Sequence, residues 1–482
     1  MEDVEISSIK GKIVGGLIAL TVRTFILQII SVGTQIFLFA HFSPDDFGIL
    51  AIATASISFI GYFADIGLAA ALIQKKERLE NHDLNTVFII QLILVGTIVL
   101  VGIILSPALG NIYKLNNTGI FLIQALLVSF FISSLKTIPS IVLERKLEFN
   151  LIVITQVMEK VAYSVSLISL AILKMGIASF SWAAIIQAIV GLLTIYILAP
   201  WRISFVFSTK AAKNLLSFGV PFQVQSILAL IKDNLITLML GLILNKKELG
   251  YINVAKSSAE MHLRLIMDNV IRISFPVYSR LQHKKDIFTK AIEKSLLFLA
   301  IFIFPSTAFL IFYVKPLIHI FTRFLKWEPA LFSFYLFTFS SLWASFSSPI
   351  VNALNSLGKV KITLLLMVLW TIMTWILVPL LTLTFGFNGM AIASFIISFT
   401  GFLPILFLKR YIDFKVISSV YKPFLVTIIM TLPIVIILQF NSSLSGVLFS
   451  AAIATLIYII LTWLWMKNEI KPYLPKFLKF NP

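Results

Sequence analysis

Apolar stretches of about twenty residues recur along the chain, separated by short polar segments. Val87 to Leu105 and Leu364 to Leu383 are two that carry no charge at all. Twenty residues of helix rise about 30 Å, the thickness of a bilayer's hydrocarbon core. A transmembrane barrel would instead alternate apolar and polar positions over runs of about ten residues. No water reaches backbone groups in hydrocarbon, so a continuous apolar run of this length satisfies its own hydrogen bonds only as a helix. The pattern predicts an all-α polytopic membrane protein with about fourteen transmembrane helices. They fall near 14–40, 48–70, 86–108, 118–140, 151–173, 178–200, 214–243, 252–274, 294–314, 329–354, 362–384, 387–408, 421–440 and 444–466. The seventh and eighth are the least lipid-like. Loops are short, and the longest, Ser274 to Lys294, is expected to run about twenty residues. The apolar run after Met1 to Lys12 exceeds a signal-peptide core and reads as a retained first helix.

Composition removes the soluble alternatives. The 482 residues are 59% hydrophobic and only 12% charged, with a mean hydropathy of +1.00. A soluble domain holds roughly 25% charged residues, so this chain has too few to cover itself. The net charge of +18 does not indicate nucleic acid, because the basic residues are spread among short loops and no recognition motif accompanies them. They fall in alternate loops: Lys10 and Lys12; Lys75, Lys76 and Arg78; Arg202, Lys210 and Lys213; Arg280, Lys284 and Lys285; Lys409 and Arg410; Lys471, Lys476 and Lys479. The opposite loops hold few. That asymmetry places both termini in the cytoplasm and leaves the basic loops facing anionic membrane lipids.

A faint internal repeat sets the domain organisation. Phe42 to Ser58 aligns with Leu244 to Glu260 at an offset of 202, matching Gly48 with Gly250, Ala53 with Ala255 and Ser56 with Ser258. Further on, Gly176, Ala183 and Gly191 match Gly386, Ala393 and Gly401 at an offset of 210. Two six-helix lobes are therefore expected, over 1–205 and 206–412, with 413–482 adding two helices and a cytoplasmic tail. Six is even, so the lobes form a parallel repeat, and in transporters of that kind the substrate lies between them. Pro139, Pro221, Pro305, Pro349, Pro379, Pro404 and Pro433 fall in or near spans, where kinking is tolerated.

Candidate chemistry rests on charges at membrane depth, each costing at least about 2.5–3.5 kcal/mol unless it faces protein or water. Arg23 sits well inside the first span, with Asp65 in the second as a possible partner. Lys256, Glu260, Arg264, Asp268 and Arg272 alternate in sign at steps of four along the eighth span. Each step advances about 40° beyond a full turn, so the row winds round about 160° of the helix. It is either a self-neutralised polar ladder or the wall of an anion-attracting cavity. Lys232 and Asp233 are adjacent in the seventh span, as are Glu159 and Lys160 in the fifth; the latter two read as glue between helices. The surplus of cations suits an anionic substrate, phosphate especially. Asp65, Asp233, Glu260 and Asp268 are candidate sites for a coupling proton or sodium ion. There is no P-loop, no metal-ligand spacing among the five histidines, and no cysteine. No enzymatic activity, cofactor or metal is expected.

The stretch Phe42-Ser43-Pro44-Asp45-Asp46-Phe47-Gly48, then Asp65-Ile66-Gly67-Leu68, resembles the first two spans of Wzx-type polysaccharide exporters. Phe275-Pro276 with Arg280, and Trp327-Glu328-Pro329-Ala330, carry the same resemblance. These proteins belong to the multidrug/oligosaccharidyl-lipid/polysaccharide exporter superfamily. The resemblance implies two lobes opening alternately to either side of a bacterial inner membrane. It also implies flipping of undecaprenyl-pyrophosphate-linked oligosaccharide for O-antigen, capsule or exopolysaccharide, with a polymerase complex as a further candidate partner. Fourteen spans are similar to the WzxC-like branch and the related lipid II flippases. Cavity arginines bind pyrophosphate in the family, and Arg23 and Arg264 are the matching positions, with Lys256, Lys232 and Arg272 behind them. Alternatives stay open: a lipid II flippase or a drug/cation antiporter of the same superfamily, a membrane polymerase or ligase, and a scaffold for glycan synthesis. An antiporter for cations would have an acidic cavity, and a polymerase or ligase a large extracytoplasmic loop with catalytic residues.

Overall fold

The computed structural model describes residues 24–64, 68, 72, 80–146, 148–204, 206–209, 211–213 and 234–471. No strand occurs among the described residues. The chain divides into two compact units, Met1–Gly250 and Tyr251–Pro482.

The first unit holds α1 (Thr24–His41), α2 (Pro44–Ala64), α3 (Asn81–Ile112), α4 (Asn117–Ser134), α5 (Thr137–Arg145), α6 (Phe149–Ile172), α7 (Ala178–Leu198) and α8 (Ile236–Ile243). It ends in the first turn of α9 (Lys246–Leu281), which continues into the second unit. Short polar side chains fix where these helices begin. Asp46 Oδ2 accepts from Ser43 N at 2.9 Å and Ser43 Oγ at 2.7 Å, and Asp46 N donates back to Ser43 Oγ. This is a capping box, with Pro44 at the first helical position where its missing N–H costs nothing. The start of α9 repeats the device: Asn245 N donates to Glu248 Oε2 at 3.1 Å, and Glu248 N to Asn245 Oδ1 at 2.9 Å. These are the positions that the repeat pairs, Ser43 with Asn245 and Asp46 with Glu248.

The same two helix starts pack backbone on backbone. A Cβ on Gly48 would run into the Lys246 carbonyl, and one on Gly250 would run into the Pro44 carbonyl. The contact is reciprocal, because the offset of 202 maps Gly48 onto Gly250 and Pro44 onto Lys246. Lys246 Nζ also donates to the Lys114 carbonyl at 3.0 Å, and Tyr113 Oη donates to the Leu238 carbonyl. Elsewhere in the unit, polar pairs join helices through an apolar interior: Thr34 Oγ1 to Ser164 Oγ at 2.8 Å, Gln91 to Thr137 and Gln124 to Ser106. Such bonds are worth on the order of 1 kcal/mol each within a membrane.

The second unit continues α9 with α10 (Lys285–Ile320), a 3-10 segment (Thr322–Ala330), α11 (Leu331–Ser356), α12 (Val360–Phe385), α13 (Asn388–Ser398), α14 (Leu403–Lys409), α15 (Val416–Phe440) and α16 (Leu444–Ile470). Tyr278, Phe288, Ile292, Ile350, Leu354 and Phe414 form one of its apolar clusters. The last two helices dock on α10. Met430, Ile434, Val447 and Ala454 pack against Ala308 and Tyr313. Tyr313 Oη lies 3.0 Å from Ser450 Oγ, Tyr458 Oη donates to the Ile301 carbonyl, and Lys422 pairs with Glu469 at 2.7 Å.

Eleven of the described helical stretches are long and apolar enough to cross a membrane, α13 and α14 together making one of them across a 3-10 turn at Phe399–Phe402. They expose wide apolar stripes, as on α12, where Leu364, Leu365, Ile372, Ile376, Leu380 and Leu383 all face outward. A surface of that kind is covered by lipid, and the chain is a multi-pass membrane protein. The second, seventh and eighth expected spans are not among the eleven. The second corresponds to α2, the eighth to the charged α9, and most of the seventh lies outside the described residues. The expected twenty-residue loop from Ser274 to Lys294 is not a loop: α9 runs to Leu281 and α10 starts at Lys285. Hydropathy falls where charges begin, but helix does not; Arg280 in the last turn of α9 and Asp286 in the first turn of α10 suit the helix dipoles there. The expected continuous fourth span breaks after Ser134, and α5 follows as a separate nine-residue helix.

Candidate functional site

The site residues predicted from sequence concentrate on α9. Its packed face carries Ile252, Ala255, Ala259 and Leu263, all buried. Relative to that face, each step of four along the charged row drifts by about 40°. Lys256 therefore stands at the edge of the packed face, half-buried; Glu260 follows, with 26% of its side chain exposed; Arg264 has rotated clear, at 66%. Arg264 Nη2 donates to Glu260 Oε2 at 2.7 Å. That pair follows the favourable order for a helical dipole, acid before base. It occupies one edge of the guanidinium, which has five N–H donors, so a second oxyanion can still be bound bidentately. On the other flank of the helix, His262 Nε2 lies 3.2 Å from Thr307 Oγ1 of α10, which ties α9 to the second unit's interior.

Lys256 has no carboxylate partner among the described residues. Asp268 and Arg272 continue the row on α9, but their side chains lie outside the described residues. Arg23, Asp65, Lys232 and Asp233 also lie outside them. The structure thus brings together Glu260 and Arg264 alone of the predicted set. In the repeat, Thr54 and Ser58 of α2 align with Lys256 and Glu260, and both hydroxyl residues are exposed. Corresponding positions thus carry hydroxyls on α2 and charges on α9.

The fifth expected span, α6, holds a feature that sequence spacing did not reveal. Glu159 forms an ion pair with Lys136, one of the two residues linking α4 to α5. Gly191 on α7 makes room for it, since a Cβ there would strike the Glu159 carboxylate. Its neighbour Lys160 is half-buried and has no carboxylate partner among the described residues. Adjacent opposite charges suggested a shared structural role; the structure separates them.

Residues 41–332 match the family described as polysaccharide biosynthesis protein. The teichuronic acid biosynthesis protein TuaB of Bacillus subtilis is 25% identical over 247 residues, half of this chain and half of TuaB. The lipopolysaccharide biosynthesis protein WzxC of Escherichia coli is 25% identical over 264 residues, 54% of this chain and 53% of WzxC. The chain thus spans about half the length of these curated relatives. Among solved structures, the lipid II flippase MurJ in an inward closed conformation superposes with a TM-score of 0.73 at 17% identity, covering 94% of this chain and 100% of that one. That likeness concerns the fold. The matched segment runs from the capping box of α2 through the whole of α9, and on this evidence the chain belongs to the polysaccharide biosynthesis protein family.

Proposed function

We propose that this protein flips an undecaprenyl-pyrophosphate-linked oligosaccharide from the cytoplasmic to the outer leaflet of a bacterial inner membrane, with both termini in the cytoplasm. The observation that carries the reading is the family match over 41–332, which contains the charged row of α9. In this reading Arg264 uses its free N–H edge to hold the pyrophosphate, Arg23 supplies a second cation, and Lys256 a third. Arginine forks match phosphate oxygens in pairs, which makes them suited to a headgroup that must be gripped and released. The polyprenyl tail stays in lipid, where its transfer costs nothing. Glu260 is the described member of the carboxylates proposed for a coupling proton or sodium ion; Asp65, Asp233 and Asp268 are the others. Two six-helix lobes related by duplication belong to the same proposal. They are supported by the matching capping boxes at Ser43 and Asn245 and by the left-handed backbone at both Gly176 (φ 57°) and Gly386 (φ 60°).

The test is complementation of a flippase-deficient strain making the same polymer. Arg23→Ala and Arg264→Ala are each expected to cut surface polysaccharide about ten-fold or more, the loss of one charge-assisted bidentate contact. Full export by both variants contradicts the cation clamp.

A further inference from the structure

Lys160 stands at the middle of the 24-residue α6, eleven residues after Phe149 and twelve before Ile172. At 1.5 Å per residue it is about 17 Å from one end and about 18 Å from the other, too deep for its amine to reach an interface by extending along the helix. Nor does it face lipid. The exposed stripe of α6 is Ile154, Met158, Val161 and Val165. A rotation of 100° per residue puts Lys160 about 135° round from that stripe.

Its immediate surroundings leave hydrogen-bonding capacity unused on both sides. Glu159, the nearest carboxylate in sequence, is taken by Lys136. Lys160 Nζ lies 5.6 Å from the centre of the Tyr163 ring, a cation–π contact that uses no acceptor oxygen. One turn before it, Gln156 Oε1 is buried with no hydrogen-bond partner. One turn after it, Ser164 Oγ accepts from Thr34 Oγ1, so this face of α6 is turned toward α1. Gln156, Lys160 and Ser164 are spaced at steps of four and share one face. A cationic donor and an orphaned acceptor therefore sit one turn apart, unpaired with each other, on a protein-facing surface at membrane depth. Buried ionisable groups in such places are held by a partner or mark a ligand path.

We infer that Lys160 and Gln156 form an oxyanion-binding subsite in the first unit, for a phosphate or sugar carboxylate flanked by hydroxyls. The Lys160 ammonium donates to the anionic oxygen, and Gln156 Oε1 accepts from a neighbouring hydroxyl. Tyr163 covers the other side of the ammonium and holds the lysine stem against the helix. The assignment of that oxyanion to a lipid-linked glycan rests on the flippase reading; the binding of an oxyanion does not.

The test uses the purified full-length chain in detergent, titrated with inorganic pyrophosphate, with glucuronate and with neutral glucose at matched ionic strength. Wild type, Lys160→Met, Lys160→Arg, Gln156→Ala and Arg264→Ala are compared. Lys160→Met keeps the apolar stem and removes the charge, and Lys160→Arg checks that the charge rather than the fold is read. Lys160→Met is expected to weaken binding of at least one of the two anions about five-fold or more, with Lys160→Arg restoring it and glucose unaffected. Loss confined to pyrophosphate assigns the subsite to phosphate. Loss confined to glucuronate, shared by Gln156→Ala, assigns it to an acidic sugar. Wild-type affinity for both anions in Lys160→Met, or no anion binding by the wild type, overturns the subsite. Loss in Arg264→Ala with none in Lys160→Met overturns it while leaving the Arg264 clamp standing; the converse result does the opposite.

Discussion

At the scale of single residues, charge at membrane depth is divided between groups with a partner and groups without one. Glu159 and Lys136 belong to the first class, with only 12% and 20% of their side chains exposed. Removing one member of such a pair leaves the other charge in a poorly solvated place, a larger loss than the pair itself contributes. Glu159→Gln is expected to destabilise the protein by about 2 kcal/mol, read as a lower thermal unfolding midpoint in detergent; an unchanged midpoint would show that Lys136 is neutralised elsewhere. Sequence placed Glu159 and Lys160 inside a span but could not show that Glu159 reaches back 23 residues to Lys136. No periodicity links those positions, because the chain turns between α4 and α6 through the separate α5. Consequently the glue reading fits Glu159 and misses what is distinctive about Lys160. For Arg264 the local rule sufficed: an acid four residues earlier predicts the pair with Glu260, and the two are bonded.

At the scale of helices, the starts of α2 and α9 show how a faint sequence repeat becomes geometry. The identities it rests on are few, yet one, the glycine, and two like-for-like positions fall where chemistry is least forgiving: a polar cap, an acid three residues after it, and the glycine two further on. Gly48 and Gly250 are needed because each presses against the carbonyl of the other helix start, at Lys246 and Pro44. Gly48→Leu is expected to cost about 1–3 kcal/mol through overpacking, seen as a fall in the unfolding midpoint, with Gly48→Ala in the same direction and smaller. Leucine tolerated at wild-type stability would contradict the close crossing. Helix identity was legible from hydropathy, whereas helix ends were not. Charged turns such as those around Arg280 and Asp286 stay helical beyond the apolar window, so α9 and α10 nearly meet where a long loop was expected. The charged α9 was the hardest to place by hydropathy because its packed stripe of Ile252, Ala255, Ala259 and Leu263 is narrow.

At the scale of the whole molecule, composition and span pattern made the class plain: an all-α chain with wide apolar stripes that only lipid can cover. The site was less legible, because a cation's usefulness depends on which carboxylates its neighbours have already taken. Glu260 partly occupies Arg264, while Lys256 and Lys160 keep no carboxylate among the described residues. Cations left without a carboxylate suit an anionic headgroup, which is the part of the proposed lipid-linked glycan that must be carried across the membrane. The most direct measurement of that claim is the leaflet distribution of lipid-linked oligosaccharide in a strain lacking this chain. The flippase reading predicts accumulation in the cytoplasmic leaflet with loss of surface polymer, both reversed by the wild-type chain and not by Arg264→Ala. Normal surface polymer with no accumulation in a strain that has no second flippase for that glycan would contradict it.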